Sequence, residues 1–95
     1  MSNKYKVAHI REQGVDLIIT PLESSFDNKS SQSQNDFIQY LQGHAESAGL
    51  AGTVVPVWLC GSRMKFIAPS GYHPFFRGLT WNSVLQNINK ELTCY

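Results

Sequence analysis

Charge is scarce in this chain, cysteine scarcer, and long apolar runs are missing. Lys, Arg, Asp and Glu make up 16% of the 95 residues, below the usual quarter, and eight cations against seven acids leave a formal charge of +1. A balance this even excludes a partner chosen by net charge, such as duplex DNA or an anionic membrane, and leaves only local clustering to act. Two cysteines, Cys60 and Cys94, are too few for a disulfide scaffold and lack Cys-x-x-Cys spacing, so both read as free thiols. No apolar stretch nears the roughly 18 residues of a membrane span, and no signal-peptide core follows the opening Met-Ser-Asn-Lys-Tyr-Lys. The chain reads as cytosolic. There is no Gly-rich phosphate loop and no Gly-x-Ser-x-Gly elbow, so nucleotide cradling and serine nucleophile chemistry have no support. His9, His44 and His73 have no metal-ligand spacing, and neither a metal nor another cofactor is expected.

A 42% hydrophobic content is present in a length that supports a single core, so residues 1–95 form one domain, with 1–3 and 93–95 expected to fray. Residues 51–69 carry the densest apolar material. Val54, Val55, Val57, Trp58 and Leu59 make one β-prone run, Gly61-Ser62 a turn, and Met64 to Ala68 a second run ended by Pro69. An earlier pair of runs, residues 4–12 and 15–22, is broken at Gln13-Gly14 and predicts another hairpin. Its first strand, with Lys4 and Lys6, suits a sheet edge. Its second, apolar at Leu17, Ile18 and Ile19, suits a strand covered on both faces.

Residues 21–33 are polar with one aromatic, Phe26, and read as a mobile connector or a binding loop. Ser31 with Gln34, and Ser33 with Asp36, match the capping-box spacing and open a helix. Its stripe is Phe37, Ile38, Leu41, Ala45 and Ala48, and Gly49 closes it. After a turn-rich aromatic connector at 70–78, Thr80 caps a last helix with Trp81, Val84 or Leu85, Ile88 and Leu92 on one face. The order ββαββα predicts an α+β two-layer sandwich, a four-stranded sheet with both helices on one face. If the second and third strands are neighbours, the helix between them is a crossover and the sheet is mixed. Pro56 then requires a bulge or a free edge on the third strand. The uncovered apolar face would be buried in a homodimer.

The candidate binding residues are Trp58, Tyr72, His73, Phe75 and Phe76, with Phe26 from the 21–33 loop. They are aromatic walls with few polar groups, as in ligand clefts, and simple core packing explains them equally. His73 is the leading acid–base candidate, with Asp16 or Glu23. Its alternative is an imidazole satisfied by a backbone carbonyl beside Pro74. Asp16 otherwise faces solvent or pairs with Arg11 or a lysine across the hairpin. Lys4, Lys6, Arg11, Arg63, Lys65 and Arg77, gathered at one end of the sheet with Tyr5, Trp58 and Tyr72 as stacking surfaces, would suit single-stranded nucleic acid.

Arg11-Glu12-Gln13-Gly14-Val15-Asp16-Leu17-Ile18-Ile19, the run Ser47-Ala48-Gly49-Leu50-Ala51-Gly52-Thr53-Val54-Val55-Pro56-Val57-Trp58, and Phe66-Ile67-Ala68-Pro69 leading to His73-Pro74-Phe75-Phe76 give the chain a likeness. From about residue 8 to 92 it resembles small bacterial proteins of unknown function encoded by mobile integron gene cassettes. It departs from their pattern at Asp27-Asn28 and at Leu59-Cys60-Gly61-Ser62. The resemblance implies a cytosolic, adaptive and dispensable product, and it carries no activity and no catalytic residue. The reading is a non-enzymatic interaction module, dimeric through its sheet, that binds a protein or other partner through the 21–33 loop and the aromatic 70–78 connector. Its alternatives are a binder of a small apolar ligand or single-stranded nucleic acid in an aromatic cleft, and an enzyme using His73.

Overall fold

The computed structural model describes residues 3–12 and 14–94. Along the chain lie β1 (Asn3–Glu12), β2 (Val15–Leu22), α1 (Ser31–Ser47), β3 (Thr53–Cys60), β4 (Arg63–Phe66), α2 (His73–Arg77), α3 (Trp81–Gln86) and β5 (Lys90–Cys94). Short 3-10 turns at Ser24–Asn28 and Ser70–Tyr72 precede α1 and α2. Among the described residues the five strands form one mixed sheet in the order β4-β3-β2-β1-β5. Only β2 and β3 run parallel, joined through α1, as the crossover reading requires.

The α+β class stands, and three of its expected details are corrected. The last helix stops at Gln86 and the chain returns as a fifth strand. Asn87 is the C-cap, its backbone N–H bonded to the carbonyls of Ser83 and Val84 and its side-chain amide donating to the Ser83 carbonyl as well, at 2.7 Å. Asn89 then clamps β1, accepting from the His9 N–H and donating to the His9 carbonyl, both at 2.9 Å. Leu92, expected on the helical stripe, is instead the buried residue of an alternating strand. β1 is consequently not an edge over its first half, because Asn3 to Val7 pair with Cys94 to Lys90. Lys4 and Lys6 do not prevent this, since pairing uses the backbone and Glu91 stands opposite Lys6 and 3.8 Å from Lys4. Of the ends expected to fray, Asn3, Thr93 and Cys94 lie in this ladder, while Met1, Ser2 and Tyr95 lie outside the described residues.

The helices do not share a face. One face of the sheet buries Val7, Ile18, Val54 and Leu92 beneath Leu41 and Ala45 of α1. The other buries Ala8, Leu17, Ile19, Val55 and Val57 beneath Phe76 of α2 and Val84 of α3, flanked by Tyr72, Phe75, Leu79 and Trp81. The aromatic connector is the cover for the second face. The apolar face that argued for a homodimer is thus covered within the chain, and the large hydrophobics left exposed among the described residues are Tyr40 and Leu85.

Only two residues of α1 are fully buried, so its docking is supplemented by polar clips. Gln42, on the nominally polar side, donates to the Gly52 carbonyl at 3.0 Å and accepts from the Val54 N–H at 2.9 Å, fixing the helix to the start of β3. His9 reaches the Ala51 carbonyl at 2.7 Å beside it. Each such bond contributes about 1 kcal/mol net. The N-cap is Ser30, one residue ahead of the expected box, and its hydroxyl accepts from the Ser33 N–H. The helix closes as expected, with Gly49 at φ 78° and the amides of Gly49 and Leu50 bonded to Glu46 and Ala45.

Pro56 sits buried in β3 opposite Thr20. Its carbonyl accepts from Ile67 N–H at 3.2 Å, so its nitrogen faces the same way, toward β4 just past the last paired residue, Phe66. The missing donor is therefore spent where the ladder ends, which is how the strand tolerates it.

Candidate functional site at the end of the sheet

The parallel pair places the C-terminal ends of β2 and β3 side by side, and the start of β1 and of β4 lies at the same end. The segment leaving β2 folds over this end and is anchored at three points. Phe26 is 2% exposed and packs on Trp58 and Phe37, with ring centroids 4.9 and 5.8 Å away. Gln34 of α1 donates to the Phe26 carbonyl at 2.9 Å. Asp27, the next residue, is the third anchor. The stretch 21–33, expected as one loop, holds the end of β2, the 3-10 turn at Ser24–Asn28 and the start of α1.

Asp27 collects three donors. Its Oδ1 accepts from Trp58 Nε1 at 3.1 Å and from Lys65 Nζ at 3.0 Å, and its Oδ2 accepts from the Cys60 thiol at 3.4 Å. The sheet brings these together because Trp58 and Cys60 are two apart on β3, on one face, and Lys65 is the cross-strand partner of Trp58. The hydrogen bond from Lys65, then those from Trp58 and Cys60, hold the carboxyl below its ordinary value, while the same bond raises the ammonium of Lys65. A carboxylate so held stays ionised near neutral pH and does not serve as a proton donor. Its role is to fix the loop and to aim Lys65.

Two grooves flank this node. One, of about 450 Å³, is lined by Lys4, Lys6, Lys29, Tyr5 and Phe37 among others. The second, of about 610 Å³, is lined by Lys29, Arg63, Lys65, Gln34 and Phe66 together with Asp27. They meet at Lys29. Five of the eight Lys and Arg of the chain line the two grooves, against two acids, Glu23 and Asp27. Lys6, Lys29 and Arg63 make no ion pair with a described residue, whereas Lys65 is held by Asp27 and Lys4 stands near Glu91.

The aromatic residues singled out in the sequence separate into two groups. Trp58 and Phe26 lie together on the α1 side of the sheet, where Trp58 is 4% exposed and forms the floor of the Asp27 node. Tyr72, His73, Phe75 and Phe76 lie on the other side. Phe76 is wholly buried and stacks on Phe66. The His73 ring donates to the Ala68 carbonyl at 2.9 Å and meets Phe66 edge-on. Tyr72 and Phe75 line a cavity of about 450 Å³ with Glu12, Val15, Leu17, Gly71 and Pro74. Asp16 stands directly across from Arg11, and no group of three or more His, Cys, Asp or Glu among the described residues is placed to hold a metal ion.

Asp27 and Lys29 escaped the sequence reading because the 21–33 stretch has the composition of a mobile loop. The available signal was the acid directly following the one aromatic of that loop. Of the six cations proposed to gather, Lys4, Lys6, Arg63 and Lys65 do so, joined by Lys29. Arg11 is at the far end of β1 and Arg77 is on α2, outside both grooves.

The chain is therefore a small mixed-sheet α+β protein with a cation-rich, aromatic-flanked end and no membrane-spanning helix among the described residues. No known family profile, curated protein or solved structure matches it.

Proposed function

We propose that the chain is a non-enzymatic binding module that holds single-stranded nucleic acid along the two grooves meeting at Lys29. The observation that carries this reading is the gathering of Lys4, Lys6, Lys29, Arg63 and Lys65 along two grooves at one end of the sheet, with the part-exposed rings of Tyr5 and Phe37 lining the first, in a chain of net charge +1. A backbone of phosphates pairs with the cations while unstacked bases meet ring faces, the combination used by sequence-tolerant single-strand binders. Trp58 is not one of those faces, since its indole is buried and its N–H is committed to Asp27. The non-enzymatic part of the reading is supported by His9 and His73, each bonded to a backbone carbonyl, and by an Asp27 held in its ionised form.

The test is fluorescence anisotropy of a labelled oligouridylate of about ten nucleotides, titrated across salt. Each phosphate contact on a single strand contributes about −0.7 to the slope of log K against log salt, so engagement of Lys6, Lys29 and Arg63 gives about −2. Affinity then falls about 20-fold between 50 and 200 mM salt. Lys29→Ala and Arg63→Ala should each weaken binding and flatten the slope. Absence of binding at 50 mM salt, an unchanged affinity in both variants, or equal affinity for a duplex of the same length would each reject the reading.

A further inference from the structure

The cavity under Tyr72 and Phe75 is a second site, at the opposite end of the sheet. Alternation along β1 turns Ala8, Ile10 and Glu12 toward the face covered by α2 and α3. Ala8 and Ile10 enter the apolar core there, and Glu12 follows them to the rim of the cavity. Leu17 and Val15 give an apolar floor, and Tyr72, Phe75 and Pro74 form the opposing wall. Gly71 leaves that wall open on one side, with no atom within 4 Å of where a Cβ would stand.

The charge in this cavity is one-sided. Glu12 is the single ionisable acid lining it, and no Lys, Arg or His does. The Glu12 side chain is half-buried and makes no hydrogen bond or ion pair with a described residue. A carboxylate at the rim with no partner of its own attracts an arriving cation. Two aromatic side chains beside it add the attraction of ring faces for a positive charge, strongest for a weakly hydrated ammonium. A volume of about 450 Å³ lies in the range of small-molecule sites.

We propose that this cavity binds a small alkylated ammonium ion, its charge facing Glu12 and its alkyl groups against Tyr72, Phe75 and Leu17. Neutral apolar molecules of the same shape leave the carboxylate unpaired and bind less well. Anions are repelled.

The test titrates the whole protein with choline and, separately, with its neutral carbon isostere, in which carbon replaces the quaternary nitrogen, following amide shifts by NMR. Choline should bind saturably, move the resonances of residues 12, 15, 71, 72 and 75, and bind at least tenfold more tightly than the isostere. Glu12→Gln should bring choline down to the level of the isostere, and Phe75→Leu should weaken it severalfold. Comparing the two probes on the unaltered protein keeps the test decisive even where a variant folds poorly. No saturable shift, equal binding of the two probes, or a folded Glu12→Gln protein that keeps its choline affinity would overturn the proposal.

Discussion

Substituting Gly52 by alanine should be among the most damaging small changes this fold can suffer. Gly52 has φ 124°, and a Cβ there would lie 2.5 Å from the carbonyl oxygen of Asp16, 2.7 Å from its carbonyl carbon and 2.9 Å from its Cβ. The backbone conformation alone costs an L-residue about 1–3 kcal/mol. The clash is with main chain, which cannot turn aside as a side chain can, so β2 and β3 must separate near Leu17 and Thr53, the first pair of their parallel ladder. The same shift disturbs the two Gln42 bonds at Gly52 and Val54, at about 1 kcal/mol each. Together these give about 3–5 kcal/mol, a large part of the total stability expected for a domain this size. Melting followed by circular dichroism should show Tm lower by roughly 15–30 °C. Two controls separate the causes. Gly49, at φ 78° with nothing within 4 Å of a Cβ, carries the conformational cost alone, so Gly49→Ala should lose about 1–2 kcal/mol. Gly43, inside α1 with the same open space, should gain about 0.5–1 kcal/mol as alanine. If Gly52→Ala melts within about 5 °C of the parent, or no lower than Gly49→Ala, the clash argument is wrong.

Two further outcomes follow from single groups. The depressed pKa of Asp27 means that its contribution to stability is fully present above the ordinary carboxylate range and is lost as pH falls through its lowered value. The Tm deficit of Asp27→Asn should therefore be largest near neutral pH and shrink toward strongly acidic pH, and a deficit independent of pH would refute the assignment. Thr20 is wholly buried in β2 and its hydroxyl has no hydrogen-bond partner among the described residues. Thr20→Val keeps the shape and removes the unpaired group, so chemical denaturation should show a gain of about 1 kcal/mol, and a loss of similar size would mean that the hydroxyl is satisfied in solution.

What the sequence made legible was the material that repeats. Two hairpins and the first helix follow from alternation, turn residues and a helical stripe, and Gly49 closes the helix as read. Residues 81–92 misled because Trp81, Val84, Ile88 and Leu92 fit a helical period while Lys90 to Cys94 also fit an alternating one. Two asparagines decide between them, through bonds to Ser83 and His9 that no periodicity reveals. The connector at 70–78 was recognisably too apolar for a free loop, yet only the fold shows that it lids the second face. Gln42 was assigned to solvent by its position on the helical wheel, although a long amide can reach past the stripe to strand backbone. The candidate site was half legible. Its strand cations were seen, but the node that organises them depends on Asp27, whose partners lie 31 to 38 residues away in sequence.

A formal charge of +1 conceals a separation along the sheet. Lys4 and Lys6 open β1 at the end where Lys29, Arg63 and Lys65 gather, and Glu12 closes the same strand at the end where Tyr72 and Phe75 form a cavity. From Lys4 to Glu12 the strand rises by roughly 26 Å at about 3.3 Å a residue. That is about three Debye lengths at physiological salt, so the acid does little to neutralise the cations and the cations do little to satisfy the acid. Among the described residues Lys6, Lys29 and Arg63 at one end and Glu12 at the other make no ion pair, although Glu23 and Asp27 line the cationic grooves and Arg11 adjoins Glu12 in the strand. The distance between them leaves each end to a ligand of the sign opposite to its own. It also makes the two ends independent. Removing Lys29 should leave ammonium binding untouched and neutralising Glu12 should leave oligonucleotide binding untouched, so a loss at both ends in either variant would signal a disturbed fold rather than a lost contact.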